Sequence, residues 1–227
     1  MTSADPTRWA VVVPVKDPAR GKSRLEVAGV DRVALARAIA LDTLAAAAAC
    51  PEVERVIVVT DDAALPLHAV GIPHLRWVDE TATRERLAAA GAGGAAATLP
   101  EAGLDGAVAL GMAEAGETMP RAALLGDLPA LRPDDLAAAL RTAASVDRAV
   151  VADGEGTGST LVTAAPRVSW RSAFGAGSFA RHVGLGCAPL DIAPTSTVRR
   201  DVDTAAQLEA AAALGVGERT SALLALS

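Results

Sequence analysis

Apolar residues along the chain gather into short, nearly unbroken runs, and the longer stretches between them mix alanine and leucine with charges. Trp9 to Val15 (WAVVVPV) is such a run, rich in valine, and predicts a strand buried on both faces of a parallel sheet. Val56 to Thr60 (VIVVT), followed by Asp61 and Asp62, predicts a second strand, and His74 to Val78 a third. Ala122 to Leu125 continues the series and ends in Gly126 and Asp127. Ala149 to Ala152 and Thr160 to Thr163 predict two more, flanking a glycine-rich turn from Asp153 to Gly158.

Helical signals fall between these runs. Asp31 caps a helix expected from Arg32 to about Ala49, with Leu35, Ile39, Leu41 and Leu44 as its apolar positions and Pro51 as its stop. Leu104 to Ala115 predicts another. Pro133 at a first helical position, with Asp134 and Asp135 in the electropositive first turn, opens a helix to about Ala143. Thr204 caps a last one through Leu214, closed by Gly215. Thr81 to Glu101 has no clear period and is expected to be a flexible loop with a helical turn near Arg84 to Ala90. No internal repeat is present.

Alternating strands and helices imply right-handed crossovers in an α/β fold, an open and mostly parallel sheet with helices on both faces. A length of 227 residues, 51% of them hydrophobic, suits a single domain over 1–227. Ligands of such sheets bind beyond the carboxyl ends of the strands. The segments around Lys16, Asp61, Asp127 and Asp153 are therefore expected to face one crevice.

Charge and composition narrow the partners. A formal net charge of -6 without a long basic run makes nucleic acid a poor partner. No apolar run approaches the ~20 residues that span a bilayer, and Met1 to Arg8 carries no signal-peptide core, so a soluble, cytoplasmic protein away from membranes is expected. Cys50 and Cys187 stand far apart, and His68, His74 and His182 form no paired arrangement with them. They read as isolated core or surface residues of a reducing compartment rather than zinc ligands. The pattern is compatible with homo-oligomerisation. Two scarcities mark segments for chemistry. The only lysines, Lys16 and Lys22, share one loop, and the only phenylalanines, Phe174 and Phe179, share another.

Four constellations follow. Pro14 to Leu25 (PVKDPARGKSRL) holds Lys16, Arg20, Lys22 and Arg24 in a loop after the first strand, a local anion trap able to neutralise a triphosphate. It matches neither a Walker A loop nor GxGxxG. Leu124 to Leu131 (LLGDLPAL) sets Asp127 at the end of a buried strand, where a carboxylate can serve magnesium or simply cap the turn before Pro129. Arg200 to Thr204 (RDVDT) points Asp201 and Asp203 the same way if extended, offering a second metal-binding carboxylate, or caps a helix through Asp203 or Thr204. Asp153 to Thr160 and Ala173 to Phe179 (AFGAGSF) offer backbone amides and hydroxyls to a small anion, or are plain flexible turns. No hydroxyl or thiol has a histidine partner in view, which argues against a mutase or esterase.

Taken in order, VPVKDPARGKSRL, LLGDLPAL, VVADGEGTGST, AFGAGSFARH and RRDVDTAAQL resemble the phosphoenolpyruvate or 2-phospho-L-lactate guanylyltransferases of coenzyme F-420 biosynthesis, over most of the chain. The resemblance implies a Rossmann-like nucleotidyltransferase fold, with GTP and a small phosphorylated three-carbon acid as partners and Mg2+ as cofactor. It implies that Asp127 and Asp203 bind the metal, and that Pro14, Lys16, Lys22 and Arg24, with Asp105, meet the nucleotide. Lys16, Lys22, Arg24 and Asp127 would carry catalysis, and the acid would meet Ser159, Gly175 and Ser178. Ser159 stands where threonine is expected, Asp105 where relatives often have asparagine, and residues 82–101 look like an insertion. The implied reaction joins GMP to phosphoenolpyruvate; 2-phospho-L-lactate and 3-phosphoglycerate are the alternative acceptors. Rival readings are a CTP-dependent transferase acting on a sugar or polyol phosphate and a non-catalytic nucleotide-binding protein.

Overall fold

A computed structural model describes residues 8–18, 25–91 and 102–226. The elements begin with β1 (Trp9–Val15), α1 (Arg32–Ala49), β2 (Val53–Thr60), α2 (Leu65–His68) and β3 (Leu75–Asp79). They continue with α3 (Glu80–Gly91), α4 (Leu104–Ala115), β4 (Arg121–Leu124), α5 (Pro133–Ala143), β5 (Arg148–Ala152) and β6 (Ser159–Ala164). Helix α6 (Ser178–Gly184), β7 (Ala188–Pro189), a 3-10 turn (Thr197–Arg199), α7 (Ala205–Leu214) and α8 (Glu218–Leu224) complete them.

Among the described residues seven strands form one sheet in the order β3-β2-β1-β4-β6-β5-β7. Only β6 runs against the others, antiparallel to both β4 and β5. This reversal matters for function. It brings the first residue of β6, Ser159, to the same sheet edge as the carboxyl ends of β1, β4 and β5, where Leu125 N–H donates to the Thr160 carbonyl (2.9 Å).

The unbroken apolar run of β1 is explained by helices on both faces. Trp9, Val11 and Val13 belong to a core with Leu41 and Leu44 of α1 and Leu136 and Leu140 of α5. Ala10 and Val12 belong to another with Val108, Leu110 and Met112 of α4. Alternate residues of a strand point to opposite faces, so a central strand sandwiched in this way must be apolar throughout. Gly111 lets α4 sit close to the sheet, because a Cβ there would stand 2.9 Å from Val59 Cγ2.

The predicted helices agree with α1, α4, α5 and α7 within a residue or so. Thr204 caps α7 through a reciprocal capping box with Gln207, and Gly215 closes it at φ 90°. The expected loop after Thr81 is instead helical over Glu80–Gly91, and residues 92–101 lie outside the described residues. The reason is local: Asp79 accepts the Ala82 N–H (2.7 Å) at the helix start, and Glu80 pairs with Arg84 one turn on (3.0 Å). Helices α2, α6 and α8 and the two-residue β7 lie in segments that carry no period long enough to read. Among the described residues no helix is long and apolar enough to cross a membrane.

Candidate active site

The four segments expected at one crevice do converge. A cleft of about 640 Å3 opens at the carboxyl ends of β1, β4 and β5 and the start of β6. Lys16 lies exposed at its lip, just beyond β1. The loop it starts is anchored where Asp61 Oδ1 accepts the Asp17 N–H (3.0 Å). Residues Lys22 and Arg24 lie outside the described residues.

Asp127 reaches the cleft because its segment is pinned on two sides. Leu128 N–H donates to Thr43 Oγ1 of α1 (3.0 Å), and Val202 N–H donates to the Asp127 carbonyl (3.0 Å). The second bond draws the Asp-Val-Asp segment alongside. Gly126 has no side chain because β1 passes too close; a Cβ would stand 3.0 Å from the Pro14 carbonyl oxygen. Asp127, Asp201 and Asp203 thus line one wall with Asp153.

Burial first, then the charges of Asp127 and Asp153, push the Asp201 carboxyl up to about 7. Its Oδ1 is buried and takes no hydrogen bond from the described residues. Carboxylate oxygens of Asp153, Glu155 and Asp201 lie within 4.8 Å of one another. Asp153 is partly committed to its own turn, accepting the N–H groups of Thr157 (2.9 Å) and Gly158 (2.7 Å). The Arg199 guanidinium ties this turn to the Asp-Val-Asp segment by donating to the Asp153 carbonyl (2.9 Å).

The two glycine-rich turns also line the cleft. Phe179 N–H donates to the Thr157 carbonyl (3.1 Å), joining them. Ser159, Gly175 and Ser178 all line the cleft, with both serines almost fully buried. Gly175 and Gly177 hold φ of 107° and 68°, a left-handed bend that favours glycine. Arg181 ties the turn by donating to the carbonyls of Ala173 (3.0 Å) and Phe174 (2.8 Å), and also to that of Ala176.

Ser159 has a histidine partner after all, which corrects the sequence-based expectation. Its Oγ lies 2.9 Å from His182 Nδ1. The pair is nonetheless no nucleophile and base. Ala173 N–H donates to His182 Nε2 (2.9 Å), so the neutral ring carries its proton on Nδ1 and cannot take one from Ser159 there. An edge-on contact with Phe174 (centroids 4.9 Å apart) holds the ring.

Of the other expected residues, Pro14 and Asp203 line the cleft, whereas Asp105 lines an adjoining pocket and accepts the Phe174 N–H (3.1 Å). Asp201, which the sequence offers only as an alternative to Asp203, and Asp153, marked only by its segment, line the cleft, as does the ion pair of Arg37 with Asp62 (3.1 Å), which sequence reasoning missed. The alternation in RDVDT was the one available signal for Asp201.

The chain is 46% identical over 223 residues to a phosphoenolpyruvate guanylyltransferase of Thermomonospora curvata, covering 96% of this chain and 89% of that one. It is 47% identical over 223 residues to another from Streptomyces coelicolor, covering 96% of each. The chain belongs to the phosphoenolpyruvate guanylyltransferase family. No protein-family model matches it. Among solved structures, a nucleotidyl transferase from Methanothermobacter is similar over 92% of this chain and 98% of that one, with a TM-score of 0.56 at 16% identity. The 4-diphosphocytidyl-2C-methyl-D-erythritol synthase of Anaerococcus prevotii follows with a TM-score of 0.50 at 11% identity, over 92% of this chain and 98% of that one. Both likenesses speak to the fold. The guanylyltransferase family and the nucleotidyltransferase architecture agree with the cleft's position at the strand ends.

Proposed function

We propose that this cleft transfers GMP from GTP to phosphoenolpyruvate, giving enolpyruvyl-2-diphospho-5'-guanosine and diphosphate, as a step in building coenzyme F-420. The name borne by relatives at 46% and 47% identity supports the reaction. The observation that carries the chemistry is one cleft lined both by the carboxylates Asp127, Asp153, Asp201 and Asp203 and by the glycines and hydroxyls of the two glycine-rich turns. Such a pairing suits two phosphate-bearing substrates bridged by a hard cation.

The residues fit magnesium. Among the described lining residues only Lys16 and Arg37 are cationic, and Arg37 is already paired with Asp62. Two anionic substrates would be repelled unless the carboxylates were neutralised. Asp127 and Asp203 would hold the ion beside Asp201, whose carboxylate lies within 4.8 Å of those of Asp153 and Glu155 and whose buried Oδ1 no described donor satisfies. When bound, magnesium offsets the charge of the triphosphate and polarises the phosphorus under attack. Lys16, together with Lys22 and Arg24, neutralises the departing diphosphate. Ser159, Gly175 and Ser178 hold the acid in line.

A phosphate oxygen of the acid bonds to the α-phosphorus of GTP, and the bond from that phosphorus to the β-bridging oxygen breaks. A phosphomonoester's second pKa near ~6 leaves the attacking oxygen largely ionised at neutral pH. No general base is required, in keeping with a His182 whose proton position forbids that role. The test is diphosphate release with magnesium and GTP against phosphoenolpyruvate, 2-phospho-L-lactate and 3-phosphoglycerate, with ATP and CTP as controls. Turnover with GTP and phosphoenolpyruvate is expected; turnover only with CTP, or with none of the acids, would reject the assignment.

A further inference from the structure

We propose that His182 is a positioning residue that makes the Ser159 hydroxyl an obligate hydrogen-bond donor into the cleft, and thereby sets affinity for the anionic acid substrate. The inference rests on the reading that Ser159 meets that acid.

The argument follows one proton. Backbone amides donate only, so the Ala173 N–H, 2.9 Å from His182 Nε2, demands a lone pair there. A neutral imidazole then carries its hydrogen on Nδ1, which faces Ser159 Oγ at 2.9 Å. The serine oxygen therefore accepts from His182 and keeps its own hydrogen for another partner. Ser159 lines the cleft, and no second partner for its hydroxyl occurs among the described residues. That hydrogen is left for an occupant of the cleft. An anionic carboxylate or phosphate oxygen suits it, whereas a second donor does not.

His182 is fully buried and favours the neutral ring this scheme needs, since burial lowers its pKa. Asp105 and a hydrogen bond to the Ser178 backbone oppose that shift, and Arg181 reinforces it. The same imidazole also holds the Ala173 end of the turn that presents Gly175 and Ser178. One side chain thus coordinates both glycine-rich segments, one through a hydroxyl and the other through a backbone amide.

The test compares H182A, H182N, S159A and the S159A/H182A pair by steady-state kinetics, varying phosphoenolpyruvate and GTP separately, with thermal melts to establish folding. Asparagine places an N–H donor near the Nδ1 position. Loss of a hydrogen bond to a charged group corresponds to about tenfold or more. H182A is expected to raise the KM for phosphoenolpyruvate about tenfold with the KM for GTP within about twofold, and H182N to recover most of the loss. S159A should do the same, and the double variant no worse than either single one. Equal rises in both KM values, fully additive losses, or no rescue by a folded H182N would overturn the proposal. If H182A does not fold, H182N against S159A decides: a folded H182N with the acid KM of S159A overturns it. Failure of the function itself is distinct, because the unsubstituted protein would then release no diphosphate with any acid, and both readings fall together.

Discussion

Asp42 and Gly217 approach so closely that no side chain fits between them: a Cβ on Gly217 would stand 2.6 Å from Asp42 Cβ and 2.7 Å from its Oδ2. The contact has a purpose. Helix α8 has no cap from its own N-terminal residue, and the buried Asp42 of α1 instead accepts the N–H groups of Arg219 (3.2 Å) and Thr220 (2.8 Å). A carboxylate there also meets the positive end of the helix. Asp42→Ala should cost about 2 kcal/mol, the value of a cap on buried amides. Gly217→Ala should cost a comparable amount through overlap, about 2 kcal/mol. Urea unfolding followed by circular dichroism measures both; an unchanged midpoint for either variant would show that α8 docks without this cap.

Asp201 is held at a disadvantage. Its carboxyl, pushed up to about 7 by burial and by Asp127 and Asp153, resists ionisation that magnesium would favour. Asp201→Asn should therefore move activity and stability in opposite directions. Turnover should fall by more than about 100-fold, since even residues one step removed from a metal are worth about 10–100-fold. In EDTA at pH 7.5 the same variant should melt higher by about 2–4 °C, equivalent to ~1 kcal/mol for a chain of this size. Added magnesium should raise the melting temperature of the unsubstituted protein more than that of the variant. A variant that loses activity and stability together would mean that Asp201 serves the fold instead.

How much of this was readable in the residues depends on the range of the forces involved. Helix α1 announces itself through Asp31, a local cap, and Leu35, Ile39 and Leu44, a local period. Strand β1 does so through an apolar run that only a two-sided burial explains. Asp127 is marked by standing after such a strand. In contrast, α8 owes its cap to a residue at position 42, and Ser159 gains His182 only because β6 runs backwards against β4 and β5. Neither relation leaves a trace in spacing. Asp201 lies in between: the alternation of RDVDT puts two carboxylates on one side, but only the Val202 N–H to Asp127 carbonyl bond brings that segment beside Asp127.

Acidification should weaken the protein through His182. Its folded pKa is lowered from 6.5 by burial, so below about that pH the unfolded chain takes up a proton the folded one refuses. Stability from this group is full above 6.5 and declines as pH falls toward the folded value, at up to about 1.4 kcal/mol per pH unit. Asp201 titrates in the opposite sense, because a raised carboxyl pKa favours the folded state as pH falls. The measurement is therefore the difference between the unsubstituted protein and H182N in urea unfolding from pH 5 to 8. That difference should shrink on acidification; a constant gap would place the charge of His182 elsewhere.

The thiols should be inert in the folded state. Burial, partly relieved by backbone contacts, pushes the Cys50 thiol up to about 11 from 9.0, and Cys187 is raised as well. Both side chains are buried in the cores flanking the sheet. At pH 8 a rise of two units lowers the Cys50 thiolate fraction about 100-fold, and the thiolate is the reactive form. Iodoacetamide labelling followed by mass spectrometry should modify both cysteines quickly in urea and neither appreciably in the native protein.

Gly158 offers the sharpest separation of loop geometry from stability. A Cβ at this position would lie 3.1 Å from Asp153 Cγ and closer still to Oδ2, the atom that accepts the Gly158 N–H at 2.7 Å. Alanine cannot enter without turning the Asp153 carboxylate away from the amides of Thr157 and Gly158. That carboxylate lies within 4.8 Å of Asp201, and Thr157 carries the link to Phe179, so both glycine-rich turns would shift together. The turn is at the surface end of a hairpin, where few apolar contacts depend on it. Gly158→Ala should therefore reduce kcat/KM by about 100-fold, in line with the effect of small misplacements on catalysis. The melting temperature should fall by no more than about 4 °C, roughly 1 kcal/mol. Full activity in this variant would mean that the Asp153 turn does not shape the site.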